Sequence, residues 1–154
     1  MITYKNFTEL DEEEAKEIFH IRNSSHVSKF MKTQHISLEE HQLFLQKLKE
    51  INKQQYFLLL KDDTKIGVIY FINITNHSCE FGLYGIQKGV GELLMQEVKN
   101  YAFNILKVQT LNACVFKENT KALNLYLRHS FEITKEDCDF YFVVLNNPHR
   151  NFMF

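Results

Sequence analysis

Apolar positions along this chain switch repeatedly between a helical and an alternating period, and each switch marks an element. Residues 2–7 read as a short strand. Asp11 with Glu14 makes a capping-box start for a helix whose inward positions are Ala15, Ile18 and Phe19; the next residue on that stripe is Arg22. A short helical stretch around 25–31 follows. Ser37-Leu38-Glu39-Glu40 is a full S-x-x-E capping box opening a helix with Leu38, Phe44, Leu45, Leu48 and Ile51 at helical spacing. His41 lies on the same inward stripe. The period then changes. Residues 56–61, 65–74 and 78–84 are β-branched and aromatic runs separated by turn residues such as Asp62-Asp63 and Asn76-His77, and predict successive antiparallel strands.

Beyond Tyr84 stand Gly85, Gly89 and Gly91, then a long helix over about 89–106 with Leu94, Val98, Tyr101, Ala102 and Ile105 facing inward. Residues 110–116 predict another strand. Asn119 starts a helix running through Ala122, Leu125 and Tyr126 to about 129. Strands over 131–135 and 139–145 are expected to close as an antiparallel hairpin, and 148–154 carries no readable pattern. The order is strand, helices, strands, helix, strand, helix, two strands. That is an α+β (mixed α/β) three-layer fold with a mostly antiparallel sheet. With no repeat, linker or low-complexity tract, the 154 residues are expected to form a single domain, 1–154.

Composition narrows the function classes. A net charge of −1 lends no support to a nucleic-acid or anionic-membrane partner, since both favour strongly basic faces. No apolar run approaches the roughly 20 residues that span a bilayer. Cys79, Cys114 and Cys138 are scattered and make no CxxC pair, so metal and thioredoxin-like chemistry lack their spacing; each reads as a small buried thiol. The amino terminus shows no basic-then-apolar leader, and a reducing cytoplasm is the expected compartment.

The chemistry begins at Gly89-Val90-Gly91. A strand, a glycine-bearing turn and a helix make an anion-binding arrangement: the first turn of a helix has unpaired N–H groups and partial positive charge, and glycine lets a phosphate approach them. A P-loop would need GxxxxGK[ST]. A dinucleotide fingerprint would need a third glycine, where Glu92-Leu93-Leu94 stand instead. On its own the pair is equally a turn that merely needs glycine.

A second motif decides between these. Asn119-Thr120-Lys121-Ala122-Leu123-Asn124-Leu125-Tyr126, followed by Phe131, resembles the NxxAxxLYxxxGF signature of the GNAT acetyltransferases, one helix and one strand after the glycine pair. The resemblance covers about residues 2–145. It implies a seven-stranded GNAT sheet flanked by helices and splayed between strands four and five, with acetyl-CoA as co-substrate and no metal. It implies that the pantetheine arm pairs with backbone around Leu83, Tyr84 and Gly85, and that Gly82 marks a bulge there. The diphosphate would rest on N–H groups of Lys88, Gly89, Val90, Gly91 and Glu92. Asn119 would touch the arm, with Ala122 keeping the helix close. The family pattern is [QR]xxGxG, but Ile86 stands three residues before Gly89, so backbone amides are expected to hold the diphosphate.

A closer resemblance lies in Arg22-Asn23, Phe30-Met31-Lys32, Ile36-Ser37, His41, Ser78-Cys79-Glu80-Phe81-Gly82-Leu83-Tyr84 and Lys88-Gly89-Val90-Gly91. These are similar to the pseudaminic-acid pathway acetyltransferases of flagellin modification. That family acetylates the 4-amino group of UDP-4-amino-4,6-dideoxy-N-acetyl-β-L-altrosamine, which implies a nucleotide-sugar substrate; a homodimer is compatible with it.

Amide formation from a thioester needs a neutral amine, a polarised carbonyl and a proton for the leaving thiolate. Tyr126 occupies the family's general-acid position, and a phenol is a matched donor to an alkyl thiolate; the bland alternative is a core aromatic one turn after Ala122. A backbone N–H near Leu83 or Tyr84 would polarise the carbonyl. Glu80 could relay the amine's proton if the strand is regular, although a water chain could suffice. Arg22 and His41 interrupt apolar stripes and so point inward. The resemblance makes them nucleotide contacts, against a snorkelling arginine and a satisfied buried histidine. Phe30, Met31 and Phe44 could flank uracil or belong to the core, and Tyr84 could contact the sugar or simply pack.

Other functions stay open at this stage. A protein N-terminal or ribosomal-protein acetyltransferase also begins with an Arg-Asn helix but would favour an acidic cleft, whereas Arg22, Lys32 and His41 favour an anionic acceptor. A non-catalytic acyl-CoA sensor would not need Tyr126 and Asn119.

Overall fold

The computed structural model describes residues 1–29, 31, 35–50 and 53–148. Within them the capping boxes form as the spacing requires. Asp11 Oδ1 accepts from the Glu14 N–H and Glu14 Oε1 from the Asp11 N–H, opening α1 (Glu12–Asn23). Ser37 and Glu40 do the same for α3 (Leu38–Leu48). Each box satisfies two N–H groups that the first turn would otherwise leave bare. Between them α2 (Ser25–Ser28) is a single turn, shorter than predicted. Ile51 and Lys32 lie outside the described residues. Leu38, predicted inward, is 41% exposed; as the first residue of α3 it sits before the stripe reaches the sheet.

The strands form one seven-stranded sheet in the order β1-β2-β3-β4-β5-β7-β6. They are β1 (Ile2–Asn6), β2 (Gln55–Lys61), β3 (Thr64–Ile72), β4 (Ser78–Gly85), β5 (Thr110–Phe116), β6 (Glu132–Glu136) and β7 (Phe140–Asn146). Every neighbour pair is antiparallel except β4 with β5. That parallel pairing joins Ser78–Glu80 to Thr110–Asn112 and goes no further, while β4 stays paired with β3 to Gly85. The sheet therefore splays between β4 and β5, as the resemblance implied.

Two apolar clusters follow from strand alternation. On one face Phe57, Leu59, Ile69, Phe71, Cys79, Phe81, Leu111, Ala113 and Val115 pack with α4 (Gly91–Asn100) and α5 (Thr120–Arg128). On the other, Leu58 and Val68 pack with Ile18 of α1 and Leu48 of α3, joined by Phe44, Tyr56, Tyr70 and Tyr84.

The helix predicted over 89–106 differs at both ends. It starts at Gly91, with Val90 in the cap position, and its last turn, Tyr101–Ile105, is π-helical, closed by the Leu106 N–H on the Tyr101 carbonyl. The wider turn takes an extra residue, so the predicted stripe slips. Ile105 is turned out, 60% exposed, and Phe103 is buried in its stead.

Candidate active site

β4 supplies the floor of the site. Its register with β3 is unbroken from Glu80 to Gly85, so the bulge expected at Gly82 is absent. Gly82 has another reason to be glycine: it lies opposite Tyr70, and any side chain there would overlap the Tyr70 ring. With the strand regular, Glu80, Gly82 and Tyr84 share the face that carries α1 and α3. From Phe81 to Gly85 the edge of β4 towards β5 has no strand partner among the described residues. An extended, hydrogen-bonding arm fits that edge.

At its far end, Gly89 has φ +77, and a Cβ there would meet nothing within 4 Å. Its glycine is needed for the left-handed turn rather than for packing room. Val90 offers no side-chain cap to α4, so the first N–H groups of that helix lack the partner that α1 and α3 have. Such a helix start can accept an anionic group on its Gly91, Glu92 and Leu93 N–H groups. Lys88 is exposed beside it. Leu83, half-buried, packs against the α4–α5 core.

Asn119 caps α5: its Oδ1 accepts from the Ala122 N–H at 3.3 Å. The helix then carries Tyr126 under the splay, edge-on to Phe81 at 5.3 Å and against Phe131. Burial pushes the Tyr126 hydroxyl well above the usual phenol value, with the nearby Tyr70 adding to it. Tyr126 is buried, 6% exposed, within the α4–α5 core.

On the α1–α3 side, Tyr56 and Tyr70 are register partners with stacked rings, 4.7 Å apart and 11° from parallel. Burial raises the hydroxyls of Tyr56, Tyr70 and Tyr84, that of Tyr70 to about 12. Glu80 raises Tyr56 and Tyr70 further, while the positive charge of Arg22 opposes the rise in all three. Arg22 and Glu80 thus stand within electrostatic reach of one tyrosine cluster. Arg22 itself is half-buried.

His41 is 3% exposed, with Nε2 donating to the Ala15 carbonyl at 3.2 Å and its ring against Phe19 and Phe44. Its surroundings are those of a satisfied buried histidine, and burial lowers its pKa, with the Ala15 hydrogen bond opposing and Arg22 adding to the fall. Phe44 lies edge-on to Tyr56 at 4.8 Å, inside the smaller core. Met31 is half-buried after α2, and Phe30 lies outside the described residues.

Sequence reasoning missed Tyr56 and Tyr70. Each reads as one aromatic in a strand, and only the β2–β3 register brings them together; alternation with Leu58 and Val68 was the available signal.

The comparisons with known proteins agree with this fold. The Acetyltransferase (GNAT) domain family matches residues 6–132. Acetyltransferase PseH of Campylobacter jejuni subsp. jejuni serotype O:2 is 54% identical over 151 residues, covering 97% of this chain and 96% of that protein. The crystal structure of Campylobacter jejuni N-acetyltransferase PseH in complex with acetyl coenzyme A superimposes with a TM-score of 0.82 at 48% identity, over 95% of this chain and 99% of that one. A spermidine N-acetyltransferase from Vibrio cholerae, solved with CoA and spermine, shares the fold with a TM-score of 0.83 at 20% identity, over 95% of each chain.

Proposed function

Because this chain belongs to the GNAT acetyltransferase family and is an acetyl-CoA-dependent N-acetyltransferase, we propose that its acceptor is the 4-amino group of UDP-4-amino-4,6-dideoxy-N-acetyl-β-L-altrosamine, in pseudaminic acid biosynthesis. The observation that carries this reading is the positive charge of Arg22, near the end of α1, which acts together with Glu80 on the stacked Tyr56–Tyr70 pair on the sheet face opposite α5. A guanidinium there suits the diphosphate of a nucleotide sugar and opposes a cationic peptide or polyamine acceptor.

In this reading the acetyl-CoA diphosphate lies on the first turn of α4 and the pantetheine arm along β4 from Leu83 to Gly85. The acceptor approaches through the splay from the α1–α3 side. Its amine nitrogen attacks the thioester carbonyl carbon, the carbon–sulfur bond breaks, and the Tyr126 hydroxyl gives its proton to the departing sulfur. The Tyr126 phenol, kept protonated by burial, is suited to that step. Glu80, on the acceptor face of a regular β4, takes the amine's proton through water. Arg22 binds the nucleotide diphosphate; His41 positions Arg22 and α1 from behind rather than touching the acceptor. We place the enzyme in the cytoplasm, where its free cysteines stay reduced.

The test is thiol release from acetyl-CoA in the presence of UDP-linked amino sugars or amino-terminal peptides. Release with the 4-amino sugar nucleotide is expected. Release with peptides alone would overturn the acceptor assignment, and Arg22→Gln should raise the KM for the sugar nucleotide while leaving that for acetyl-CoA.

A further inference from the structure

Glu92, the second residue of α4, is gripped at both carboxylate oxygens by the end of α5. Arg128 donates to Oε1 from Nε at 2.9 Å and from Nη2 at 2.7 Å, and His129 Nε2 lies 2.6 Å from Oε2. The Arg128 hydrogen bonds, followed by that of His129, hold the Glu92 carboxyl below the usual range, so it is anionic. The Glu92 and Arg128 side chains are both more than half exposed, and exposed ion pairs contribute little to stability. Stability is thus a poor reason for the arrangement. Its place is informative: the carboxylate stands on the same first turn whose N–H groups no side chain caps. An unneutralised carboxylate there would repel an incoming diphosphate and compete for the positive end of the helix.

We infer that Arg128 is a positioning residue for acetyl-CoA: it neutralises Glu92 and turns its carboxylate towards α5, leaving the α4 amino terminus open to the coenzyme's diphosphate. The inference rests on the diphosphate placement proposed above. It also ties the cradle helix to the helix that carries Tyr126, two residues before Arg128.

Equilibrium binding of acetyl-CoA and of S-acetylpantetheine, which lacks the diphosphate, to wild type, Arg128→Gln and Glu92→Gln/Arg128→Gln tests it. Arg128→Gln is expected to weaken acetyl-CoA roughly three- to tenfold at low ionic strength and to leave S-acetylpantetheine unchanged. The double variant should return to within about twofold of wild type, and the single variant's loss should shrink in 1 M salt, where the Debye length is about 3 Å. A double variant as weak as Arg128→Gln, or equal losses for both ligands, would overturn the inference and leave a merely structural tie. Wild type binding acetyl-CoA no more tightly than S-acetylpantetheine would instead overturn the diphosphate placement, and the inference with it.

Discussion

Gly82 and Tyr70 face each other across the β3–β4 pairing, and the Tyr70 ring edge occupies the space that a side chain on residue 82 would need. Tyr70 cannot readily yield, because its ring is stacked on Tyr56 and packs, partly buried, against the cluster that holds Leu58 and Val68. Gly82→Ala is therefore expected to cost about 1–3 kcal/mol through overpacking. The variant should raise the KM for the acceptor more than that for acetyl-CoA if the acceptor approaches from the α1–α3 side as proposed, where Tyr70 lies. Chemical denaturation and separate KM measurements check this. Gly82→Ala should cost much less in a Tyr70→Ala background than in wild type; an equal cost in both backgrounds would place the clash elsewhere.

Tyr126 is held protonated. Its folded pKa is raised by burial above the ordinary phenol value of about 10. Both folded and unfolded states therefore carry the proton below about pH 10, and the group adds no pH dependence to stability in that range. Replacing it with Phe keeps the packing against Phe81 and removes the donor. The expected result is a fall in kcat of about a hundredfold or more, with acetyl-CoA affinity within about twofold of wild type. The wild-type rate should show no descending limb from Tyr126 below about pH 10. Unchanged kcat in Tyr126→Phe would take the residue out of the mechanism.

How far the residues disclosed this site depended on the range of the interactions. Capping boxes and strand alternation act over a few residues, so Asp11–Glu14, Ser37–Glu40 and the β2–β4 runs were readable, as was the burial of His41 on its stripe. The Tyr56–Tyr70 stack and the grip of Arg128 and His129 on Glu92 join distant segments; no local pattern announces them. Gly82 was legible as a glycine with a reason, but a bulge and a close ring contact leave the same mark in a sequence. The uncapped start of α4 was legible as Gly89-Val90-Gly91, and the role proposed for it only through the second motif around Asn119 and Tyr126.

His41 ties acid sensitivity to the packing of α1 on α3. Burial lowers its folded pKa beneath the unfolded value of about 6.5, so the folded state holds it neutral. Stability from this neutral ring is fully present above about pH 6.5 and is lost as the pH falls towards the lowered folded value, because the unfolded chain then binds the proton first. His41→Gln keeps an N–H donor for the Ala15 carbonyl and does not titrate. Urea midpoints at about pH 7.5 and about pH 5 should differ less in His41→Gln than in wild type. An equal drop in both would show that His41 contributes nothing to the acid limb.

The π turn at the end of α4 makes a prediction that an ordinary α-helix would reverse. With regular helical spacing Ile105 would continue the stripe of Leu94, Val98 and Ala102, and truncating it would empty part of the core. In the π register Ile105 points outward and Phe103 fills the interior beside Ala102 and Val98. Ile105→Ala is thus expected to change stability by no more than about 0.5 kcal/mol, as a surface substitution does. Phe103→Ala should cost about 3–5 kcal/mol through the cavity it leaves. Denaturation midpoints of the two variants decide the matter: a larger loss for Ile105→Ala than for Phe103→Ala would mean that the helix runs on in α register to its end.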